Sequence, residues 1–167
     1  MNDLFFQDKY YSIYMNRETQ QISSIHSHNE VLIVPLLDQN TVLLTIEPSD
    51  AFNEPTLILP GGAIEAGETF EQTALRELQE EIDYTATQLN FLCELRPWSK
   101  YLAVQSFLYL ARNLTPSSLP GDENYPILVE QISLHDFERL IFEGRLRDAR
   151  VIAALALTRN YLQTHTE

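Results

Sequence analysis

Around residue 60 the hydrophobic pattern changes period, and this constrains the fold more than any other feature. Residues 56–59, Thr-Leu-Ile-Leu, read as a short strand that ends at Pro60-Gly61-Gly62. From 69 to 82 the apolar residues Phe70, Ala74, Leu78 and Ile82 recur at helical spacing. Thr69 with Gln72 three residues later has the form of a capping box, which satisfies open N–H groups at a helix start. A strand, a glycine turn and a capped amphipathic helix therefore follow one another within 27 residues.

The remaining segments read as strands first and helices last. Residues 10–15 and 20–25 flank a turn at 16–19, forming one expected hairpin. Residues 31–37 and 41–46 flank Asp38-Gln39-Asn40 as a second, and their unbroken apolar runs imply strands covered on both faces. Strand composition returns at 88–95, 101–111 and 128–133. Helices are expected at 134–143 and 147–163, separated at Gly144. This order predicts an α/β (mixed α+β) fold, a mixed β-sheet sandwiched between α-helices, rather than a doubly wound parallel sheet. No repeat or linker divides the 167 residues, so one domain over 1–167 is expected, with an N-terminal hairpin at about 9–26.

The helix at 69–82 also concentrates charge. Glu77 and Glu81 lie four apart on one face, Glu80 sits on the adjoining strip, and Arg76 precedes Glu80 by four. Crowded carboxylates repel one another, and a hard divalent cation with oxygen ligands removes that repulsion. Arg76 can hold a neighbouring carboxylate through a charge-assisted bond. The turn at Pro60-Gly61-Gly62 leaves backbone groups open to a ligand.

In register, Gly62, Glu68, Arg76, Glu77, Leu78, Glu80 and Glu81 resemble the signature of the Nudix hydrolases, here spanning 62–84. Six of these are fixed residue types, and at a usage of roughly 7% each such a match arises by chance about once in ten million placements. Two positions depart: Asp83 stands where the family has glycine, and Tyr84 where it has an aliphatic residue. Asp is among the better substitutes where a helix ends in the left-handed conformation.

The resemblance implies a Nudix fold and Mg²⁺- or Mn²⁺-dependent hydrolysis of a nucleoside diphosphate linked to another group. It implies Glu77 and Glu81 as leading metal ligands, with Glu80 and the Gly61 carbonyl assisting. Arg76 would orient the glutamates, and Gly62 and Glu68 would support the loop. The later segments, with Gly121-Asp122-Glu123 before a strand and Asp148-Ala149 opening the last helix, are similar to the ADP-ribose and ADP-sugar pyrophosphatase branch. Glu123, with Asp122 beside it, is the matching late-loop acid that assists the metal or water. ADP-ribose pyrophosphatases often carry Glu two residues before the loop proline and an Arg-rich strand end upstream. Here Ile58 and Ile46-Glu47-Pro48 occupy those places, so the resemblance points to the broader class of ADP compounds. The products would be AMP and a phosphorylated remainder. A Nudix hydrolase of another nucleotide and a non-catalytic Nudix-fold sensor are the alternatives; the complete set of signature carboxylates favours an enzyme. N-terminal strands serve a homodimer in the resembling branch.

Other residues carry less. Trp98, Tyr101 and Phe107 are candidates to stack on adenine, but aromatics at strand spacing are more often core and are read so here; Cys93 reads as a packing residue. His26, His28, His135 and His165 form no ligand pattern. In the last helix Ile152, Leu155, Ala156, Leu157 and Leu162 read as core. The net charge of -13 argues against nucleic acid or anionic membranes as partners. A single cysteine, no long apolar run and no basic leader point to the cytoplasm.

Overall fold

A computed structural model of the chain describes residues 2–121 and 123–165. Asp122 lies outside the described residues. Among them the strands form three sheets rather than one. The N-terminal sheet joins β1 (Asn2–Gln7), β2 (Ser12–Asn16) and β3 (Ile22–His26), with β9 (Leu102–Ala103) parallel to β3. The central sheet has the order β7 (Gly61–Ala63), β4 (Glu30–Pro35), β10 (Ser106–Pro116), β8 (Tyr84–Leu95). Only β4 and β10 run parallel in it. The third sheet places β5 (Thr41–Ser49) between β11 (Leu128–Ser133) and β6 (Glu54–Ile58). The helices are α1 (Phe70–Glu81), α2 (Glu138–Phe142) and α3 (Ala149–Thr164). The architecture is mixed α/β, with α1 and α3 against opposite faces of the central sheet.

The alternation within β4 explains the layers. Val31 and Ile33 join Ala74 and Leu78 of α1 in one apolar cluster, while Leu32 and Val34 join Val151 and Leu155 of α3 in another. Both faces of the strand are covered, as its unbroken apolar run requires.

Four sequence expectations are corrected. The segments 31–37 and 41–46 do not form a hairpin ladder. They share one bridge, Leu36 to Val42, and the Leu37 N–H to Thr41 carbonyl bond of 2.8 Å, then diverge into different sheets. Each is apolar on two faces, so each sits inside its own sheet and faces a different set of partners. The segment 101–111 is likewise two strands. It crosses from the N-terminal to the central sheet at Gln105, beside the parallel crossing at Asn29, and the two side-chain amides bond at 3.1 Å. Trp98 is 59% exposed and meets Tyr101 edge-on in a turn, so neither is a core aromatic; Phe107 does stack on Phe70 at 4.1 Å. In α3, Leu155 is buried, but Ala156 and Leu157 face solvent.

The second helix is also shorter than expected. Leu134 and His135 donate their N–H groups to the carbonyl and side chain of Asn40, which holds them out of the helix. The thiol of Cys93 is half-buried beside the core and its pKa is pushed up by burial, which fits packing.

Candidate active site

The site begins with two glycines that allow close approach. A Cβ on Gly61 would lie 2.2 Å from the Val31 carbonyl oxygen, so only glycine lets β7 settle against β4 here. A Cβ on Gly62 would lie 2.2 Å from Glu77 Oε1, so a bare backbone is the cradle for that carboxylate. The Pro60 carbonyl accepts from the Ile33 N–H at 2.9 Å and fixes the loop to the central sheet.

Helix α1 presents the acids to this loop. Thr69 accepts from the Gln72 N–H at 3.2 Å, and the Gln72 side chain accepts from the Thr69 N–H at 2.8 Å, so the expected capping box is formed. Ala74 and Leu78 bury the helix against the central sheet. Glu77 and Glu81 are then carried inward, 6% and 8% exposed. The Gly61 N–H donates to Glu81 Oε2 at 3.0 Å.

Arg76 is the hub of the face. Its Nε donates to Glu68 Oε1 at 2.9 Å, and one terminal nitrogen donates to Glu77 Oε1 at 2.8 Å and Glu80 Oε2 at 2.9 Å. The other reaches the Ala63 carbonyl at 3.3 Å. Glu68 also accepts from the buried Thr73 hydroxyl at 2.8 Å. The Arg76 bond, with Thr73 and the Glu65 N–H, holds the Glu68 carboxyl down at about 2. Arg76 itself is raised, chiefly by its bond to Glu68.

The inner carboxylates behave oppositely. Burial pushes Glu77 up to about 7, against the opposing pull of Arg76. Burial, then the charges of Glu77 and Glu47, push Glu81 up to about 9, with the Gly61 N–H opposing. Burial thus favours the neutral form of both carboxyl groups when no cation is present.

Glu123 lies in the loop before β11. A Cβ on Gly121 would be 3.0 Å from Glu123 Oε2 and 3.4 Å from the Glu80 carbonyl, so this loop rests on the last turn of α1. The charge of Glu123 acts on both Glu77 and Glu81.

The polar and glycine residues of the signature, Gly62, Glu68, Arg76, Glu77, Glu80 and Glu81, therefore meet at one place with Gly61, and Glu123 lies alongside, while Leu78 of the signature packs into the core. Two further residues join them. Glu47 on β5 bears on Glu81 and accepts from the Tyr125 hydroxyl at 3.1 Å. In the sequence Glu47 entered only as a departure from an arginine-rich pattern. A carboxylate two residues beyond Thr45 in an apolar strand is the signal that could have found it.

The donor set fits a hard divalent cation: carboxylate oxygens, a backbone carbonyl at Gly61, and acids in excess over one guanidinium. Among the described residues, no three acidic, His or Cys side chains are drawn together closely enough to cage an ion unaided. Arg76 engages Glu77 and Glu80 itself.

The NUDIX domain family matches residues 26–155. The chain is 32% identical over 133 residues to the ADP compounds hydrolase NudE of Escherichia coli (strain K12), covering 80% of this chain and 71% of that protein. It is 26% identical over 135 residues to an ADP-ribose pyrophosphatase of Bacillus subtilis (strain 168), with the same shares of 80% and 71%. The fold is shared with a crystal structure of an ADP compounds hydrolase at a TM-score of 0.85 and 24% identity, over 99% of this chain and 94% of that one.

Proposed function

The chain belongs to the Nudix family, and from that premise we propose that it is a metal-dependent pyrophosphohydrolase of ADP-linked compounds. The observation that carries the reading is the pair of buried carboxylates, Glu77 and Glu81, set against the Gly61-Gly62 turn. The names of the relatives, ADP compounds hydrolase and ADP-ribose pyrophosphatase, support the substrate class.

Glu77, Glu81, Glu80 and the Gly61 carbonyl would hold Mg²⁺ or Mn²⁺. Such an ion polarises a phosphoryl oxygen and offsets the charge of the diphosphate. The chain's own groups supply the rest. Arg76 fixes the carboxylates, and Glu68 fixes Arg76. Gly62 leaves room for Glu77. Glu123 accepts the proton of the attacking water. The water oxygen bonds to phosphorus, the bridging P–O bond breaks, and the bridging oxygen departs with the other phosphate. The products are AMP and a phosphorylated remainder.

We take residues 1–167 as one Nudix unit acting in the cytoplasm on a small nucleotide, with neither nucleic acid nor membrane as a partner. No helix among the described residues is long and apolar enough to cross a membrane. The homodimer reading is supported by the N-terminal sheet, where Leu4, Phe5, Phe6 and Ile22 are exposed.

The test is a substrate panel of ADP-ribose, NADH, diadenosine polyphosphates and ATP, with and without Mg²⁺ or Mn²⁺, resolved by chromatography. Metal-dependent AMP from the ADP-linked compounds supports the proposal. Cleavage of ATP alone moves the protein to another substrate class, and no cleavage at all makes it a ligand sensor.

A further inference from the structure

A hydrogen-bonded chain reaches the acidic face from the third sheet, and nothing above assigns it a role. Thr45, wholly buried on β5, donates its hydroxyl to Glu47 Oε1 at 2.8 Å. The Tyr125 hydroxyl donates to Glu47 Oε2 at 3.1 Å, across 78 positions of sequence. Thr45 thus fixes the orientation of Glu47, and Glu47 offers its second oxygen to the phenol. Burial, with the charges of Glu47, Glu123 and Glu81 around it, pushes the Tyr125 hydroxyl up to about 12, so it keeps its proton and stays a donor.

Tyr125 stands two residues after Glu123. The segment is fastened at its other end to α1. The Leu119 N–H donates to the Gln79 carbonyl at 3.1 Å, the Gln79 amide donates to Ser117 Oγ at 2.8 Å, and the Ser117 N–H donates to the Asp83 carbonyl at 2.9 Å. Residues 117–121 thus lie along the end of α1, with Gly121 against the Glu80 carbonyl, while Tyr125 is tied to β5. A short segment tied at both ends has far fewer conformations than one tied at one end.

We infer that the Tyr125–Glu47 hydrogen bond is a clasp that sets the position of Glu123 over the acidic face of α1. Tyr125 is thereby a positioning residue for hydrolysis. The inference rests on the proposed role of Glu123. A small misplacement of a reacting group costs up to about a hundredfold in rate, and loss of one tether leaves the other in place, so the effect is intermediate.

The experiment is a cycle of Tyr125→Phe, Glu123→Gln and the double variant, with Glu77→Gln as control, each assayed for AMP release from the best substrate of the panel and each melted. The expected Tyr125→Phe enzyme melts as wild type, loses roughly tenfold in kcat and keeps KM within about twofold. In the Glu123→Gln background the same substitution changes nothing further, because the two act through one group. A Tyr125→Phe enzyme with full kcat overturns the clasp, and so does a loss that multiplies with that of Glu123→Gln. Glu123→Gln with full turnover also overturns it while leaving hydrolysis by the α1 acids standing. Retained turnover in Glu77→Gln is a different failure, that of the enzymatic reading itself.

Discussion

Glu81, proposed above as a metal ligand, carries a stability cost that can be measured. Its folded carboxyl is raised from 4.5 to about 9, so between those values the folded protein binds more protons than the unfolded chain. Stability in metal chelator therefore falls as pH rises through that window. Glu81→Gln removes the ionisation; in chelator its melting temperature exceeds that of wild type at pH 8–9, and the difference closes towards pH 5. A divalent cation reverses the order by stabilising only the chain that can hold it. A gap that widens as pH falls would contradict this account.

Asp83 is the complementary case. It sits at φ 61, just after the C-cap Ile82, where the related signature has glycine. Its carbonyl accepts from the Ser117 N–H, a bond that glycine keeps. Asp83→Gly relieves the left-handed strain and gains about 0.5–1 kcal/mol in chemical denaturation. A loss of stability in that variant would show that the Asp side chain contributes something the backbone does not.

At the scale of elements, α1 was legible because its information is local. Its cap, apolar stripe and acids lie within residues 69–82, and the structure places each where the spacing predicts. Thr69→Ala removes the cap acceptor and costs about 1 kcal/mol. The same variant lowers turnover little, since Glu77 and Glu81 are held from the other end of the helix by the core and Gly61; thermal melts and initial rates check both halves. The partition of strands among sheets was not legible. Whether 31–37 and 41–46 pair with each other or with β7, β10, β6 and β11 depends on segments far along the chain. Glu47 was hidden for the same reason. Its relation to Glu81 links β5 to α1 across 34 positions of sequence, and a single glutamate in a strand carries no spacing pattern. The signature acids were legible in type and register, but not in their burial, which depends on where the Gly61-Gly62 turn lies.

At the scale of the whole molecule, the N-terminal sheet differs from the rest. Its strands carry no fully buried residue, while Phe5 and Phe6 are 61% and 48% exposed. The proposed homodimer would cover this exposed apolar surface. Light scattering after gel filtration should give twice 19.3 kDa, and Phe5→Glu with Phe6→Glu should return the mass to one chain. A monomer in the unaltered protein would contradict the dimer reading without touching the chemistry of α1.

The chemistry of α1 is tested by AMP released from ADP-ribose or NADH by wild type and Glu77→Gln across a Mg²⁺ titration, with melting curves alongside. AMP should rise with Mg²⁺ in the wild type. In Glu77→Gln turnover should be at least about a hundredfold lower at every metal concentration, with folding intact. Equal turnover in the two proteins, or AMP release indifferent to the ion, would contradict that chemistry.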